Sequence, residues 1–440
     1  MFHKRSIKEK LLKGSAWAFA GKLVSVLTAL GVNALLARLL TPNEMGAYFL
    51  TLSLVSVAAV VAQLGLTQTL IKLVSESMAV EKLSRVRRSI VLALRMAAVS
   101  SLVVAVFFIF GGGAWIAENL FNLDVMLGVM GLISMWMAVL VYQGLISEVF
   151  RGFHDIRLAT IFGGLVTSII SMVLFSSLWW LQGSSDYQQI VFLTLVAGGT
   201  STAISSFILL DKLKKLPLLS FEEINTQKII SISWPLWVTS LTLIVLLQAD
   251  LWILGMFSTK DEVAIYGAVA RLVVLITMPL LIINAVVPPL IAEMSALGKI
   301  KELERLLRSI ATWASFPAIF VVCIFAFYGD DVLSILYGEF YQSGGVVLMI
   351  LGGGQLINVW AGSCGQVLML TGHQSSMMKI TIASGFLTVT LAYFLVAKFG
   401  AVGVACSAAA GMVVQNIIML IIVKKKIGLW THVNLCFSIK

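Results

Sequence analysis

The sequence has little charge and few cysteines, and each shortage excludes a class of protein. Only 12% of its 440 residues are Asp, Glu, Lys or Arg, about half the share found in soluble domains. A chain so poor in charge is not an ordinary water-soluble enzyme, and its high apolar content also excludes intrinsic disorder. No pair of cysteines has the spacing of a metal or redox site. The four are interpreted as small buried apolar residues: Cys323, Cys364, Cys406 and Cys436.

Hydrophobic residues take the place of the missing charge. They make up 59% of the chain, and the mean hydropathy is +1.00. A net charge of +10 could indicate nucleic acid binding, but the apolar excess favours a polytopic membrane protein with basic residues at one membrane face. We therefore expect membrane lipids around the chain and no nucleic acid partner.

Charge-poor runs long enough to cross about 30 Å of hydrocarbon as helices recur along the chain. They are apolar on every face, which favours helices over the alternating strands of a β-barrel. The expected cores are 15–37, 47–71, 89–112, 125–147, 158–181, 188–210, 229–256, 263–292, 309–329, 344–371, 378–397 and 401–423. The predicted fold is an all-α polytopic membrane protein with twelve transmembrane helices.

The distribution of Lys and Arg between loops supports this number of spans. Basic clusters occupy the N-terminus, every second loop and the C-terminus, whereas the facing loops hold only Arg38, Lys260 and Lys398. Under the positive-inside rule, this pattern places both termini in the cytoplasm. The first 14 residues are predicted to form a cytoplasmic amphipathic segment, with a short interfacial helix at Ser6 to Lys13.

An internal repeat divides the chain near its midpoint. At a constant offset of 218, four residues match four others: Thr41, Asn43, Glu44 and Tyr48 with Thr259, Asp261, Glu262 and Tyr266. The repeat predicts two six-helix lobes, 15–210 and 229–423, related by a pseudo-twofold axis along the membrane normal. Residues 211–228 would form a cytoplasmic linker, and 424–440 a basic cytoplasmic tail.

Four charged residues lie deep inside the predicted spans: Lys22, Arg95, Asp250 and Arg271. Such residues cost about 2.5 to 3.5 kcal/mol each on insertion scales, so those that persist usually face a cavity or a partner. Lys22, Arg95 and Arg271 are candidates for a cationic cavity, although Arg95 could instead reach lipid headgroups. Asp250 and Arg271 could form a structural pair, which leaves their functional role open.

Uncharged polar residues and prolines add a second set of candidates. Asn33 and Gln63 lie in the first two spans, where such side chains either bond helix to helix or line a polar layer. Arg38 ends the first span and is either interfacial or part of an outer gate. Pro279, Pro288 and Pro289 predict a kinked or hinged eighth span.

Several motifs resemble one known family. They are Leu11-Leu12-Lys13-Gly14-Ser15-Ala16-Trp17, Leu39-Leu40-Thr41-Pro42-Asn43-Glu44-Met45-Gly46-Ala47-Tyr48, Gln63-Leu64-Gly65-Leu66, and Asp250 followed by Tyr266-Gly267. Together with the topology, they resemble the polysaccharide transporter family, the flippases for O-antigen and related lipid-linked repeat units. That family belongs to the superfamily of multidrug, oligosaccharidyl-lipid and polysaccharide exporters.

The resemblance implies a flippase of the bacterial inner membrane that has no enzymatic activity. Its substrate would be an undecaprenyl-diphosphate-linked oligosaccharide, moved from the cytoplasmic to the periplasmic leaflet by alternating access. A glycan polymerase and a chain-length regulator are the protein partners that it implies. No cofactor is expected. Proton or sodium exchange, or the membrane potential, would drive transport, with Asp250 as the candidate coupling carboxylate.

Two other functions are compatible with this topology. A drug or cation antiporter of the same superfamily would share the spans and the repeat, but it would favour acidic residues within the lobes, whereas the deep charges here are mainly basic. A membrane polymerase or ligase of lipid-linked glycans would need a substantial periplasmic loop, and the predicted outer loops are short. The flippase is the favoured interpretation.

Overall fold

The computed structural model describes residues 21, 23–79, 82–217 and 226–434, and throughout these ranges its regular structure is helical. The chain divides into two compact units, Met1–Trp252 and Ile253–Lys440. The predicted all-α fold is therefore confirmed. Several predicted features lie outside the described residues: Lys22, the N-terminal segment 1–14, positions 218–225 of the linker and the end of the tail from 435.

The first unit contains ten helices in the described residues, and most of an eleventh. They are α1 (Leu23–Leu39), α2 (Pro42–Gln63), α3 (Leu66–Ala79), α4 (Leu83–Phe107), α5 (Gly113–Asn119), α6 (Asp124–Leu127), α7 (Met130–Gly152), α8 (Ile156–Thr160), α9 (Val166–Gln182), α10 (Tyr187–Lys214) and α11 (Thr226–Phe257). Two π-helical turns, Phe108–Gly112 and Ile161–Leu165, interrupt the third and fifth spans. Such turns kink a helix because one residue is inserted into its hydrogen-bond ladder.

The second unit contains seven further α-helices in the described residues. They are α12 (Lys260–Leu272), α13 (Val274–Val286), α14 (Pro288–Ala296), α15 (Ile300–Tyr337), α16 (Gly345–Ala361), α17 (Cys364–Leu370) and α18 (Gln374–Ile427). The predicted kink of the eighth span is present, because α13 ends at a break before Pro288. A proline at this point cannot donate the hydrogen bond that would continue the helix.

The helices account for the twelve predicted spans. Among the described residues, ten are long and apolar enough to cross a membrane. The longest, α18, has non-helical backbone at Gly400 and thereby supplies the last two predicted spans. The apolar helix Leu23–Leu39 supplies the first. Because each unit buries only part of these apolar windows, the remaining apolar surface is available to lipid.

The internal repeat has the same structural role in each unit. Thr41 caps α2 and Thr259 caps α12, and the backbone N–H of the residue three positions later donates to each threonine hydroxyl. In the first unit, Glu44 accepts a hydrogen bond from the Tyr187 N–H at 3.4 Å, at the start of α10. In the second, Glu262 accepts from the Ala401 N–H at 2.9 Å. The repeated acid thus joins the second helix of each lobe to the sixth.

Helix α11 packs mainly within the first unit, although the sequence assigns it to the second lobe. The Trp252 indole donates a hydrogen bond of 2.7 Å to the Ser53 hydroxyl on α2. Nearer the start of α11, the Ser233 hydroxyl lies 3.0 Å from the Thr69 hydroxyl of α3. These polar contacts to the second span explain why the boundary between the compact units falls at Trp252.

Candidate functional site: helix breaks in the two units

The second span is broken between α2 and α3, within the motif Gln63 to Leu66. Leu64 and Gly65 have φ angles of 49° and 71°, so two consecutive left-handed residues end α2. A break inside an apolar span interrupts the hydrogen-bond ladder, and the freed backbone groups need other partners in the membrane. Irregular backbone of this kind is tolerated where it is buried in protein or lines a cavity.

Helix α11 supplies these partners in the first unit. The Trp237 indole N–H donates to the carbonyl oxygens of Val60 and Val61, at 3.2 and 3.1 Å. A Cβ placed on Gly65 would lie 2.4 Å from the Ser233 carbonyl oxygen and 2.7 Å from the Trp237 nitrogen. Glycine is therefore required here both by its positive φ and by the close approach of a second backbone.

Gln63 lies immediately before this break. Its side chain is half-buried, and its amide nitrogen lies 2.9 Å from the point that a Cβ on Gly144 of α7 would occupy. The Ser100 hydroxyl of α4 donates to the Ala62 carbonyl oxygen. The end of α2 is therefore held by polar contacts with α4 and α11 and packs closely on α7.

A second polar cluster, which sequence reasoning missed, surrounds Gln143 on α7. The Gln143 amide nitrogen donates to the Thr167 hydroxyl at 2.8 Å and to the Phe162 carbonyl oxygen at 3.2 Å. Phe162 belongs to a π-helical turn, and such turns are frequent at functional sites. The Gln143 Oε1 atom is buried and has no hydrogen-bond partner in the described part of the chain. The available signal was a glutamine within an apolar span.

The second unit is broken in its tenth span, between α16 and α17. Gly362 has φ 71° and ψ −151°, a conformation that ends α16. The next residue, Ser363, is buried, and its hydroxyl donates a 2.7 Å hydrogen bond to Asn284 Oδ1 on α13. Since α13 ends two residues after Asn284, at the break before Pro288, this bond joins the two interrupted spans of the unit.

The chain after the last span, residues 428–434, fills the break at Gly362. Thr431 is fully buried and donates from its hydroxyl to the Ala361 carbonyl oxygen at 2.7 Å. The Val433 N–H donates to the Trp360 carbonyl oxygen at 3.0 Å. A Cβ on Gly362 would lie 2.8 Å from the Thr431 carbonyl oxygen. The last carbonyls of α16 are thus satisfied by a segment that the sequence assigns to a cytoplasmic tail.

The candidate residues of the first lobe that the structure describes lie on three helices, α1, α2 and α4. Asn33 is half-buried and donates to the Ala29 carbonyl oxygen of its own helix at 2.7 Å. Arg38 is exposed, with its guanidinium 5.8 Å from the centroid of the Trp179 ring. Arg95 is exposed on α4 along with Val99 and Leu102. From this apolar face an arginine can extend toward headgroups, and a cavity-lining role for Arg95 stays a prediction.

Arg271 and Asp250 are both half-buried, Arg271 in the last turn of α12 and Asp250 in α11. Arg271 is close enough to Tyr337 for an electrostatic interaction. The hydroxyls of Tyr337 and Tyr341 are buried without a hydrogen-bond partner among the described residues, and the two rings lie 5.7 Å apart. Arg271 therefore lies beside a buried aromatic pair of the second unit.

Sequence reasoning also missed Glu148, a carboxylate in the last two turns of α7. Its Oε2 atom lies 3.0 Å from a guanidinium nitrogen of Arg151, and its side chain is 19% exposed. The sequence placed the end of the fourth span at residue 147, one position too early to include this carboxylate. The helix in fact continues to Gly152.

Comparison with known proteins gives one curated relative and several solved structures. A protein of Haloferax volcanii named as a probable low-salt glycan biosynthesis flippase, Agl15, is 22% identical over 172 residues, which are 38% of this chain and 36% of that relative. The alignment thus spans about a third of the relative's length. Its activity is not transferred by this partial match.

Two solved structures share the fold over nearly the whole chain. An inward-facing multidrug resistance MATE transporter of the MOP superfamily has a TM-score of 0.78 and 13% identity, with coverage of 92% of this chain and 94% of that one. The lipid II flippase MurJ in an inward closed conformation has a TM-score of 0.74 and 11% identity, covering 92% and 87%. At such identities the likeness shows the fold alone.

A family model described as "Polysaccharide biosynthesis protein" matches residues 11–295, well over half of the 440 residues. The matched range includes the capped starts of α2 and α12 and the break at Gly65. The chain therefore belongs to the family of polysaccharide biosynthesis proteins and has the fold of the MATE and MurJ transporters.

Proposed function

We propose that the protein is a flippase that moves an undecaprenyl-diphosphate-linked oligosaccharide from the cytoplasmic to the periplasmic leaflet by alternating access. The substrate would be the repeat unit of O-antigen or of a related surface polysaccharide. Membership of the polysaccharide biosynthesis family, matched over residues 11–295, carries this proposal. The multi-pass helical fold and the glycan-flippase name of the Haloferax relative support it.

The chemistry of such a substrate explains why a transporter is needed. A sugar headgroup carries many hydroxyls, and each costs several kcal/mol to bury in hydrocarbon without a hydrogen bond. The diphosphate needs cations, for which Lys22, Arg95 and Arg271 are the proposed residues, with Arg38 at the outer end of its span. An inside-negative potential favours outward movement of an anion by about 2.3 kcal/mol per charge per 100 mV.

Polar groups near the broken spans are proposed to receive the sugar. Transporters often bind their substrates where transmembrane helices are interrupted, because the interruption frees polar backbone inside the membrane. Gln63 lies beside the break of the second span, and Asn33 is half-buried on the neighbouring first helix. Asp250 is the proposed carboxylate for coupling to protons or sodium ions.

Deletion of the gene tests the proposed function. The lipid-linked oligosaccharides of the deletion strain would be extracted, and their leaflet determined in membrane vesicles of known orientation. We expect completed repeat units to accumulate on the cytoplasmic leaflet, with surface glycan lost and restored by a plasmid copy. Single units accumulating on the periplasmic leaflet would instead indicate a polymerase or ligase.

Substitution of the candidate charges tests the residues. Arg271→Ala is expected to lower surface glycan display while the protein stays in the membrane, and Asp250→Asn is expected to lower the transport rate. The competing proposal is a drug or cation antiporter of the same fold. Drug efflux that depends on the protein, together with normal surface glycan in the deletion strain, would favour the antiporter.

A further inference from the structure

The two helix breaks are filled by segments of different kinds, a transmembrane helix at Gly65 and a non-helical stretch at Gly362. At Gly65 the filling residues, Ser233 and Trp237, lie inside the long helix α11 and cannot leave without moving that helix. At Gly362 the filling residue is Thr431, on a short non-helical stretch that follows α18. Gly428, with φ 85°, ends α18 and begins this stretch. A short non-helical stretch can detach without displacing a transmembrane helix.

We propose that residues 428–434 form a C-terminal latch that closes the break of the tenth span and must detach during each transport cycle. While seated, the latch supplies the donors that the Ala361 and Trp360 carbonyl oxygens would otherwise lack. When it detaches, α16 and α17 lose the bonds that hold their angle at Gly362. The mobility of α17 is therefore controlled by a segment outside the membrane spans.

The contacts of the latch reach two helices of the second unit. Besides α16, it contacts α15, where Arg308 donates to the His432 carbonyl oxygen at 3.3 Å and the Thr312 hydroxyl accepts from the Asn434 N–H at 3.1 Å. The His432 ring stacks on Trp360, with centroids 5.1 Å apart. A seated latch thus ties the first half of α15 to the end of α16.

Alternation of buried and more exposed residues shows that the seat is specific. Leu429, Thr431 and Val433 are 0%, 0% and 8% exposed, whereas Trp430 and His432 between them are half-buried. Leu429 packs into the apolar core that includes Ala361. A non-helical stretch that buries every second residue occupies one register, since a shift by one residue would bury the wrong side chains.

Detachment of the latch would also affect the hydrogen bond that joins the two interrupted spans of the second unit. Ser363, directly after Gly362, holds Asn284 at the end of α13 by the hydrogen bond between their side chains. Movement of α17 after detachment would therefore move or break this bond. The proposed latch acts as a conformational device, and its residues position the break without contacting substrate.

Thiol labelling tests the latch without any transport assay. In a protein carrying Cys323→Ser, Cys406→Ser and Cys436→Ser, a maleimide would be used to label Val433→Cys, with Lys425→Cys as an exposed control on the last turn of α18. Cys364, 2% exposed, can stay. We expect Val433→Cys to react about tenfold more slowly than the control, at a rate set by detachment.

Substitutions at Thr431 test whether the labelling rate of Val433→Cys measures detachment of the latch. Thr431→Val removes the hydroxyl and should raise the labelling rate of Val433→Cys about fivefold, since a buried carbonyl then loses its donor. Thr431→Ser keeps the hydroxyl and should leave the rate close to the parent's. Labelling as fast as at Lys425→Cys in the parent, or labelling unaffected by Thr431→Val, overturns the proposal.

Cross-linking tests whether detachment is required for transport. Trp360→Cys and His432→Cys, at positions whose rings stack in the native protein, would be joined by a short reducible thiol reagent. The substrate would be lipid-linked oligosaccharide extracted from a deletion strain and reconstituted in proteoliposomes. We expect flipping to stop on cross-linking and to return on reduction, with each single variant active throughout. If the cross-linked protein flips substrate as fast as the same protein after the cross-link has been reduced, the latch proposal is contradicted.

The transport arm rests on the proposed function, whereas the labelling arm does not. If the cysteine-substituted parent flips none of this substrate, the proposed function fails and the labelling result still decides whether the latch detaches. If the parent flips the substrate and the cross-link has no effect, the proposed function stands and the latch fails. The two failures are thus distinguishable.

Discussion

The breaks at Gly65 and Gly362 both free backbone groups inside an apolar span, and a different kind of segment packs against each break. Both glycines have φ 71°, and each lies at a break between two helices of one apolar span. At each glycine a second backbone approaches too closely to leave room for a Cβ. In the first unit the approaching backbone is a transmembrane helix, and in the second it is a non-helical stretch that follows α18. The comparison shows that each break in an apolar span is filled by a second backbone, and that either a helix or a non-helical stretch can do so.

The largest effect is expected for Gly65→Ala. The new Cβ would overlap the Ser233 carbonyl oxygen at 2.4 Å, and alanine is strained at φ 71°, so the loss of stability should exceed about 3 kcal/mol. Thermal unfolding in detergent and the amount of protein in the membrane would measure it. Gly199→Ala is the matched control, because nothing lies within 4 Å of its added Cβ. Equal stability of the two variants would contradict the description of this break.

A smaller effect is expected for Gly362→Ala. The overlapping atom, the Thr431 carbonyl oxygen at 2.8 Å, belongs to a non-helical segment that shifts more easily than a helix, and alanine is strained at φ 71°, so about 1 to 3 kcal/mol should be lost. Truncation after Gly428 should reduce the cost of Gly362→Ala, because the overlapping atom is then gone. The double-mutant cycle measures this coupling from four thermal unfolding curves. Additive effects would show that the segment does not fill the break.

An intermediate but measurable effect is expected for Trp237→Phe. The substitution keeps an aromatic ring but removes the N–H that serves the carbonyl oxygens of Val60 and Val61. The Val61 carbonyl oxygen keeps the Leu64 N–H as a donor at 3.4 Å, but the half-buried Val60 carbonyl oxygen loses the indole donor, at a cost of about 1 to 2 kcal/mol. The measurement is again thermal unfolding. Trp180→Phe, on a ring that is 86% exposed, is the control and should leave the unfolding temperature unchanged.

The smallest effects are expected at the repeated glutamates. Glu44→Gln and Glu262→Gln each weaken a helix N-terminus and a bond to the sixth helix of the lobe, at a cost of about 0.5 to 1 kcal/mol. Glu262 should lose more, because its bond to Ala401 is 2.9 Å whereas that of Glu44 to Tyr187 is 3.4 Å. The order of the two unfolding temperatures checks this, and the reverse order would show that the caps are not equivalent.

Much of the fold could be predicted because apolar run length and cap residues are local signals. The spans, the repeat and the kink before Pro288 follow from composition over short windows. Gly65 was noticed within a motif, but nothing local indicated that the second span breaks there. Glu148 was missed because the end of a hydrophobic run is uncertain by a few residues, and Gln143 because its importance comes from a π-helical turn on a neighbouring helix.

The sequence identifies which charged residues lie inside the spans, but it could not predict what surrounds each of them in the folded protein. The sequence indicates that Arg95 and Arg271 lie in apolar helices, and the structure puts one on an exposed apolar face and the other beside buried tyrosines. This difference depends on which face of each helix meets another helix. Hydropathy that is uniform around a helix carries no information about that face.

The sequence by itself determined that this chain crosses a membrane many times, and it predicts that the two halves are related and that the positive charge lies at one membrane face. The spans and the charge asymmetry follow from the cost of placing polar groups in hydrocarbon, which acts on every residue independently of the fold, and the relation between the halves follows from residues that match at a constant offset. Only the tertiary structure decided which glycines break a helix and which segment fills each break. Those outcomes depend on backbones far apart in the chain, Gly65 with Ser233 and Gly362 with Thr431, whose approach no local pattern encodes.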